Sequence, residues 1–288
     1  MHEDRVSETA LAAAALRAAH RLHDDFLVFD DAFAAELTSE SWRDQLAAGT
    51  VGALIETLGL RRIQAQLVGR MRYLEDELER ALGEGLDQYV LLGAGLDAFA
   101  WRRPDLLDRL RVIELDHPAT QDYKRRRLEE LGRSIPEAVE LVPVDFERTS
   151  LDTVLSETRF DPAVPAFFSW MGVVGYLTHE AFEASIRSLA NASVSGSRLL
   201  FDYPIAMELV PEHDRPWTRQ VDQGTASLGE QRKLKQRPDD VGSLLAGVGF
   251  ERVEDLSPSA FHDRYFEGRS DGLTPNPEVH LALFRRAR

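Results

Sequence analysis

Hydrophobic positions follow two different patterns along this chain. Ala and Leu recur at helical spacing over residues 7–24, with Ser7 as the predicted N-cap, and apolar residues are spaced three and four apart over residues 59–82. After a glycine-rich break the pattern changes to short apolar runs separated by helical stretches. We therefore predict a helical N-terminal cap over residues 1–85 and an α/β domain over residues 86–288.

Seven short apolar runs in the second part predict strands. They are residues 88–92, 111–115, 140–144, 164–170, 197–202, 250–255 and 279–285, with helical patterns at 119–132, 150–158, 178–191 and 238–247. The first five runs can therefore form right-handed crossovers in a parallel sheet. Prolines and glycines break residues 256–278, so we expect no crossover helix there and an antiparallel last strand. Six parallel strands and one antiparallel strand distinguish the class I methyltransferase fold from that of the dinucleotide-binding dehydrogenases.

Composition and charge exclude several classes of protein. Hydrophobic residues at 43% and charged residues at 29% are typical of a folded globular chain, and 288 residues suit one large domain with additions. A net charge of −15 argues against a nucleic-acid partner. The absence of cysteine excludes disulfides and thiolate zinc, and we predict no metal site. No apolar stretch predicts a membrane span or a secretory signal, so we expect a cytoplasmic protein with no membrane partner.

One apolar run ends in two glycines and indicates a nucleoside cofactor. Residues 89–97 read Tyr-Val-Leu-Leu-Gly-Ala-Gly-Leu-Asp, and glycines after a buried strand let the backbone approach a ligand closely. The next apolar run ends at Asp116, where an acid can accept hydrogen bonds from both ribose hydroxyls. Glu114, on the same strand face, is the competing acid. The glycines alone are equally compatible with an ordinary strand-to-helix turn.

Five segments carry a family resemblance over nearly the whole chain. They are SETALAAAALRA at 7–18, LLGAGLDAFAWR at 91–102, ELDHPATQDYK at 114–124, WMGVVGYLT at 170–178 and YFEGRSDGL at 265–273. In order and spacing the chain resembles the leucine carboxyl methyltransferase family, in particular its bacterial branch of S-adenosylmethionine-dependent O-methyltransferases. The resemblance implies a Rossmann-like class I methyltransferase fold, with a seven-stranded, mostly parallel sheet, N-terminal helices and a lid insertion at about residues 203–237.

The resemblance also implies where S-adenosylmethionine binds. A glycine loop passes beneath its methionine part, an acid binds the ribose, an acid–aromatic pair reads adenine, and an arginine holds the carboxylate. For that arginine we assign Arg72, with Arg70 as a close competitor. Met171 departs from the family, many of whose members have a glutamate there. The implied cofactor-binding residues are Arg72, Gly93, Ala94, Gly95, Asp116, His117, Asp145, Phe146, Trp170 and Met171. Core packing is the alternative role for Trp170.

The implied reaction is an in-line displacement at the sulfonium methyl group. A carboxylate acceptor is already ionised at neutral pH, so that positioning and desolvation would supply the catalysis. A phenol or alcohol would need a general base. The catalytic residue stays unassigned, with His262 and Tyr265 in the tail as candidates and His117, His179, His213 and His280 as the other downstream histidines.

Acceptor choice is expected to reside in the N-terminal helices and the 203–237 insertion. Tyr203, Met207, Trp217 and Leu228 would either line a lid for a bulky apolar acceptor, such as a polyketide, or cover a core. We expect a small-molecule acceptor rather than the C-terminal carboxylate of a protein. Two other classes stay open: an NAD(P)-dependent dehydrogenase, and a cofactor-binding protein without methyl transfer.

Overall fold

The fold alternates helices and strands after a purely helical start. The structure, a computed structural model, describes residues 6–146 and 149–287. The strands are β1 (Gln88–Leu92), β2 (Arg111–Asp116), β3 (Val139–Pro143), β4 (Phe167–Trp170), β5 (Arg198–Pro204), β6 (Phe250–Leu256) and β7 (Val279–Arg286). The α-helices are α1 (Glu8–His23), α2 (Ala34–Leu37), α3 (Glu40–Ala47), α4 (Thr50–Thr57), α5 (Arg61–Gly83), α6 (Phe99–Arg102), α7 (Pro118–Glu130), α8 (Leu151–Ser156), α9 (His179–Asn191), α10 (Arg215–Ser227), α11 (Pro238–Gly247) and α12 (Pro258–Tyr265).

The seven strands form one sheet in the order β3-β2-β1-β4-β5-β7-β6. Strand β7 runs antiparallel to both of its neighbours, and the other pairs are parallel. The predicted strands and the antiparallel last strand are therefore confirmed. Residues 256–278 do contain a short helix, α12, but it links two antiparallel neighbours, β6 and β7, and is not a crossover helix between parallel strands. Ser257 caps it by accepting a hydrogen bond from the Ala260 N–H at 3.3 Å, and Pro258 is tolerated in a first helical turn.

Two apolar clusters cover the two faces of the sheet. On the first face, side chains of α1, α5 and α12 pack with those of β1, among them Leu11, Leu74, Phe261 and Leu91. On the second face, the side chains of α8, α9 and α11 pack against alternate residues of the same strands. Because α1 and α5 share a core with the sheet, they hold a fixed place beside it. Within the described part of the chain, no helix has the length and hydropathy to cross a membrane.

Helix α5 projects beyond the sheet at its carboxyl edge. Near the end of the helix, Glu84 pairs at 2.5 Å with Arg198, the first residue of β5. In the middle of the helix, Arg70 pairs at 2.9 Å with Asp202, near the other end of the same strand. Helix and strand are thus antiparallel. The helical residues before Arg70 stand past the edge where ligands bind in sheets of this kind.

A network of buried charges joins the N-terminal helices to the loop after β1. Arg17 of α1 pairs at 2.8 Å with Asp31 and donates at 3.0 Å to the carbonyl of Leu96. Arg102 of α6 pairs with Glu75 of α5 at 2.6 Å and lies 3.4 Å from Asp31. Burial opposes ionisation of Asp31, but the two guanidinium groups outweigh it and hold the pKa of this carboxyl below its usual value.

Two helical glycines give a matched test of this packing. A Cβ on Gly69 would lie 2.5 Å from Cζ of buried Phe261 and 2.8 Å from Cζ of Phe266. We expect Gly69→Ala to lower the free energy of unfolding by about 1–3 kcal/mol through overpacking. Gly52 in α4 has open space around its Cβ position, so Gly52→Ala should be neutral or stabilising by up to about 1 kcal/mol. Urea unfolding measures both, and a Gly69→Ala variant as stable as Gly52→Ala would contradict the packing.

Candidate functional site

The loop after β1 is shaped by two glycines in the left-handed region. Gly93 has φ of +68° and Gly95 has φ of +55°. The N–H groups of Gly93 and Ala94 both donate to the carbonyl of Leu115, at 2.8 and 3.0 Å, which folds the loop towards the end of β2. A Cβ on Gly93 would come within 2.3 Å of the Val173 side chain, so that position cannot carry a larger residue without displacing the segment after β4.

Asp116 connects this loop to the start of α7. One carboxylate oxygen accepts from the N–H of Gly95 at 2.5 Å, and the other accepts from the N–H of His117 at 2.6 Å. Desolvation raises the pKa of Asp116, although these two hydrogen bonds oppose the shift. His117 itself is the N-cap of α7, with its ring accepting from the Ala119 N–H. The acid and the glycine loop that we predicted from separate motifs therefore lie in direct contact.

The competing acid, Glu114, lies in the interior. Its side chain and that of Lys124 on α7 are both fully buried, and they form an ion pair. Burial raises the pKa of Glu114, and the nearby ammonium group opposes that shift. The geometry therefore leaves Asp116 as the acid at the sheet edge and gives Glu114 a place in the joint between β2 and α7.

The predicted adenine-reading pair follows β3 beside Asp116. The N–H of Val144 donates to the carbonyl of Asp116 at 2.8 Å, which brings the turn containing Asp145 and Phe146 next to the end of β2. Phe146 is partly buried and packs on the second-face cluster. This pair thus continues the line of predicted residues along the carboxyl edge.

The structure brings Arg70, and not Arg72, to this edge. Besides its pair with Asp202, Arg70 lies against Gly172, whose Cβ position is 2.7 Å from the guanidinium. Arg72 is half exposed and pairs at 2.9 Å with Asp76, one turn along the same helix. Residues two apart point to different sides of a helix, so only one of these arginines can face the sheet edge. The structure thus places Arg70, the competitor that we named, at this edge and Arg72 on the exposed side of the helix.

The two residues at the end of β4 point to opposite faces. Trp170 is 2% exposed, and its ring stacks on Phe182 of α9 at a centroid distance of 5.9 Å. It therefore belongs to the second-face core, which was the alternative role we gave it. Met171 is partly buried and packs on the first-face cluster that includes α5. Met171 thus stays near the candidate site as a packing residue.

The two candidates for a catalytic residue lie away from this edge. Tyr265 donates at 2.9 Å to Asp76, the partner of Arg72 on the outer side of α5. The ring of His262 is partly exposed and stacks on Phe266. The structure therefore gives neither residue a contact with the glycine loop or with Asp116. Their sequence position after β6 suggested the edge, but α12 carries them along the first face instead.

The start of α1 and the insertion after β5 meet above the glycine loop. Ser7 donates to the Glu230 carboxylate at 3.0 Å, and Thr9 donates to the same carboxylate. Ala10 is the nearest neighbour of the Gly95 Cβ position, at 3.7 Å. These contacts cover the carboxyl edge, and we call this cover the roof. The sequence did not predict it, because Ser7 and Glu230 are 223 residues apart in the chain.

The insertion is also attached to the turn after β4. The N–H groups of Lys233 and Leu234 donate to the carbonyl of Gly175 at 2.8 and 3.1 Å. Next to this contact, burial raises the pKa of Tyr176, so its phenol is protonated at neutral pH. The insertion is therefore also fixed to the carboxyl edge through the turn after β4, the turn that lies against Gly93.

The apolar lid is not assembled from the four residues that we named. Tyr203 is fully buried in β5 and donates to Asp255 at 2.8 Å, and Met207 packs on the second-face cluster. Trp217 donates to the carbonyl of Gly59 at 3.3 Å, and Leu228 is 49% exposed. These residues point in different directions and do not share one apolar lining, and the positions of Tyr203 and Met207 agree with the core alternative.

The strand order and the antiparallel β7 define the class I methyltransferase fold. Two solved structures share it. A protein of Thermobifida fusca named as a methyltransferase aligns with a TM-score of 0.63 over 100% of this chain and 97% of its own, at 16% identity. A DUF574 family protein of Streptomyces avermitilis aligns with a TM-score of 0.62 over 94% of this chain and 97% of its own, at 14% identity.

Sequence comparison gives the family. The leucine carboxyl methyltransferase family model matches residues 10–190, which include most of α1, the glycine loop and Asp116. YktD of Bacillus subtilis, named as an S-adenosyl-L-methionine-dependent methyltransferase, is 30% identical over 97% of this chain and 98% of its own length. The chain belongs to the leucine carboxyl methyltransferase family.

The buried pair beneath the edge can be tested by a double-mutant cycle. We expect Lys124→Met to lower the free energy of unfolding by about 3–5 kcal/mol, because it leaves Glu114 buried without its partner. Glu114→Leu combined with Lys124→Met should recover most of that loss, since both charges are then gone. Urea unfolding at neutral pH measures the cycle. Additive losses in the double variant would show that the two side chains do not act as a pair.

Proposed function

We propose that this S-adenosylmethionine-dependent methyltransferase transfers the methyl group to a carboxylate or hydroxyl oxygen of a small molecule. The observation that carries the proposal is the arrangement at the carboxyl edge. The glycine loop, Asp116 and Arg70 lie there together under a roof formed by the N-terminal segment and the insertion. Family membership supports the methyl transfer, and the closed roof supports a small acceptor.

The residues at the edge fit S-adenosylmethionine. Arg70 uses one terminal nitrogen for Asp202, and its buried Nε atom has no hydrogen-bond partner among the described residues. A free buried N–H of this kind suits a carboxylate. We assign the methionine part to Gly93–Gly95, the ribose to Asp116, the adenine to Asp145 and Phe146, and the carboxylate to Arg70. The cofactor supplies a methyl group on a positively charged sulfur.

In this proposal the chain's own residues orient the cofactor and the acceptor and exclude water from the place where they react. Asp202 accepts from the Gly172 N–H at 2.5 Å and from Arg70 at 2.9 Å, so it orients the arginine and the turn after β4 together. The hydrogen bond of Ser7 to Glu230 joins the N-terminal segment to the insertion over the edge, which in this proposal limits the access of bulk water to the acceptor. An ionised carboxylate acceptor placed there needs no base, because proximity and desolvation lower the barrier. This agrees with the positions of His262 and Tyr265, which lie on the outer flank.

A small acceptor is favoured over a protein terminus by the contacts around the site. The insertion is held at Gly175 on one side and through Trp217 at Gly59 on the other. A protein chain reaching the edge would have to break these contacts, whereas a small molecule can be enclosed by them. Residues 1–85 act in this proposal as the cap of the site, and residues 86–288 as the domain that binds the cofactor.

The function is tested by binding and transfer. Calorimetry with S-adenosylmethionine, S-adenosylhomocysteine and the nicotinamide cofactors should show binding of the first two only. Transfer of a labelled methyl group to a panel of small carboxylates and phenols, with a leucine-terminated peptide in parallel, should label a small molecule. Labelling of the peptide alone would overturn the choice of acceptor, and binding of the nicotinamides alone would overturn the whole proposal.

Arg70 and Arg72 give a matched pair for the cofactor site. We expect Arg70→Met to weaken S-adenosylmethionine binding by about 1.5–3 kcal/mol, the range for hydrogen bonds to charged groups. Arg72→Met removes the same charge from the exposed side of the same helix and should leave affinity nearly unchanged. Calorimetry of the two variants decides between them. A larger loss in Arg72→Met would restore the original assignment.

The raised pKa of Asp116 predicts a pH-dependent affinity. Because desolvation lifts this pKa above the ordinary value of 3.8, the carboxylate takes up its proton at a higher pH than an exposed aspartate. S-adenosylmethionine binding should therefore weaken as the pH falls through that pKa, since the protonated acid has lost acceptor capacity. Asp116→Asn should weaken binding by about 1–3 kcal/mol at neutral pH and flatten the profile. Identical pH profiles for the two proteins would assign the dependence to another group.

A further inference from the structure

Two helices, α5 and α10, flank the turn that follows β4, and we call them the two walls. At the outer end, Arg62 of α5 pairs with Asp214, just before α10, at 2.6 Å. At the sheet edge, Arg70 of α5 lies against Gly172, while Asp222 of α10 pairs at 2.5 Å with Arg232, whose side chain lies against Gly175. Both helices therefore begin away from the sheet and descend side by side to the same turn.

Since contacts fix both ends of these two helical segments, the residues midway between the contacts should also correspond. Gln66 lies one helical turn from Arg62 and one turn from Arg70, and Thr218 lies one turn from Asp214 and one turn from Asp222. Side chains four apart share one face of a helix. The spacing therefore places Gln66 and Thr218 at corresponding positions midway along the two helices, and we call this pair the middle row.

This middle row is polar, buried and unsatisfied. Gln66 is 5% exposed and Thr218 is fully buried. Among the described residues, no hydrogen-bond partner is found for the amide nitrogen or the amide oxygen of Gln66, or for the hydroxyl of Thr218. Buried polar groups without partners are rare and cost free energy, so an apolar pair would serve the fold better. The pattern points to a ligand that supplies the missing hydrogen bonds.

The charges around the row indicate what kind of ligand group it takes. The rows above and below are closed by the ion pairs of Arg62 with Asp214, of Arg70 with Asp202, and of Asp222 with Arg232. Since each pair combines one positive and one negative charge, these residues present no net charge to the middle row. A glutamine amide and a threonine hydroxyl each donate and accept hydrogen bonds, which suits a neutral group with both capacities.

We propose that Gln66 and Thr218 form an acceptor-binding subsite that holds a neutral hydroxyl or carboxamide group of the methyl acceptor. The inference rests on the proposed function, since it deepens the same site. The subsite is polar, whereas one of the two alternatives from the sequence was an apolar lid. The acceptor then carries a second polar group besides the oxygen that receives the methyl.

The absence of cysteine from the chain gives a direct test. Gln66→Cys and Thr218→Cys are made singly, with Val68→Cys as the control, because Val68 is a fully buried core residue of the same helix. The probe is methyl methanethiosulfonate, with and without saturating S-adenosylhomocysteine. All three positions are buried, so the proposal makes a distinction that burial alone does not: the two subsite thiols face a space that a ligand enters, whereas the control thiol is enclosed by apolar side chains and reacts only when the fold opens locally. We therefore expect the subsite thiols to react at least about tenfold faster than the control.

The outcomes separate the subsite from the proposed function. Reaction of either subsite thiol at the control rate would overturn the proposal, since the residue would then belong to the core. Complete protection of both thiols by S-adenosylhomocysteine would place them against the cofactor and would also overturn it. Fast reaction that persists with this ligand supports it. If the wild type fails to bind S-adenosylhomocysteine in calorimetry, that result counts against the proposed function. The labelling rates measured without S-adenosylhomocysteine still test whether the two thiols differ from the core control.

Two further measurements test whether the pair serves the stability of the fold and whether the bound group is neutral or charged. Gln66→Leu with Thr218→Val should leave the midpoint of thermal unfolding unchanged or raise it, and a lowered midpoint would show that the pair serves the fold. Cationic and anionic methanethiosulfonates should label the two thiols at similar rates. A strong preference for the anionic reagent would mean an ionised ligand group and would overturn the assignment to a neutral one.

Discussion

The buried charges shared by Arg17, Asp31 and Arg102 are the constraint on which the site depends. Two guanidinium groups converge on one carboxylate in the interior, and one of them also donates to the carbonyl of Leu96, just after the glycine loop. Charges taken out of water are tolerated only when they are paired in good geometry. Through the Leu96 carbonyl, α1 therefore helps to fix the loop that Leu115 and Asp116 also hold. The N-terminal helices are thus joined to the glycine loop itself as well as lying over it.

A second joint, at Asp202, determines how α5 meets the sheet. Its carboxylate accepts from Gly172 after β4 and from Arg70 on α5, so one side chain sets the height of the helix over the edge. That height decides which residues of α5 project past the strands. In the proposed function, cofactor binding at Arg70 and acceptor binding at Gln66 would thus be linked through the rotation and position of one helix.

Local pattern predicted most of the fold and part of the site. The strands were predictable because buried parallel strands are continuous apolar runs, and Gly95 and Asp116 were predictable because each ends such a run. Arg70 could not be separated from Arg72, since that choice depends on how α5 is rotated against the sheet. The roof at Ser7 and the Gln66–Thr218 row depend on contacts between distant segments, which periodicity does not contain. Helix α12 had a readable signal in Ser257 and Pro258, but the proline was taken as a breaker.

The position of β7 has a consequence for the order of assembly. It lies between β5 and β6, and β6 pairs with β7 alone in the described sheet. During synthesis β5 therefore emerges long before its antiparallel partner, and the whole insertion that roofs the site is made in the interval. Until β7 arrives, β5 presents an open edge of the kind that invites association with other chains. The nascent protein is thus most vulnerable to misassembly just before its active form can exist.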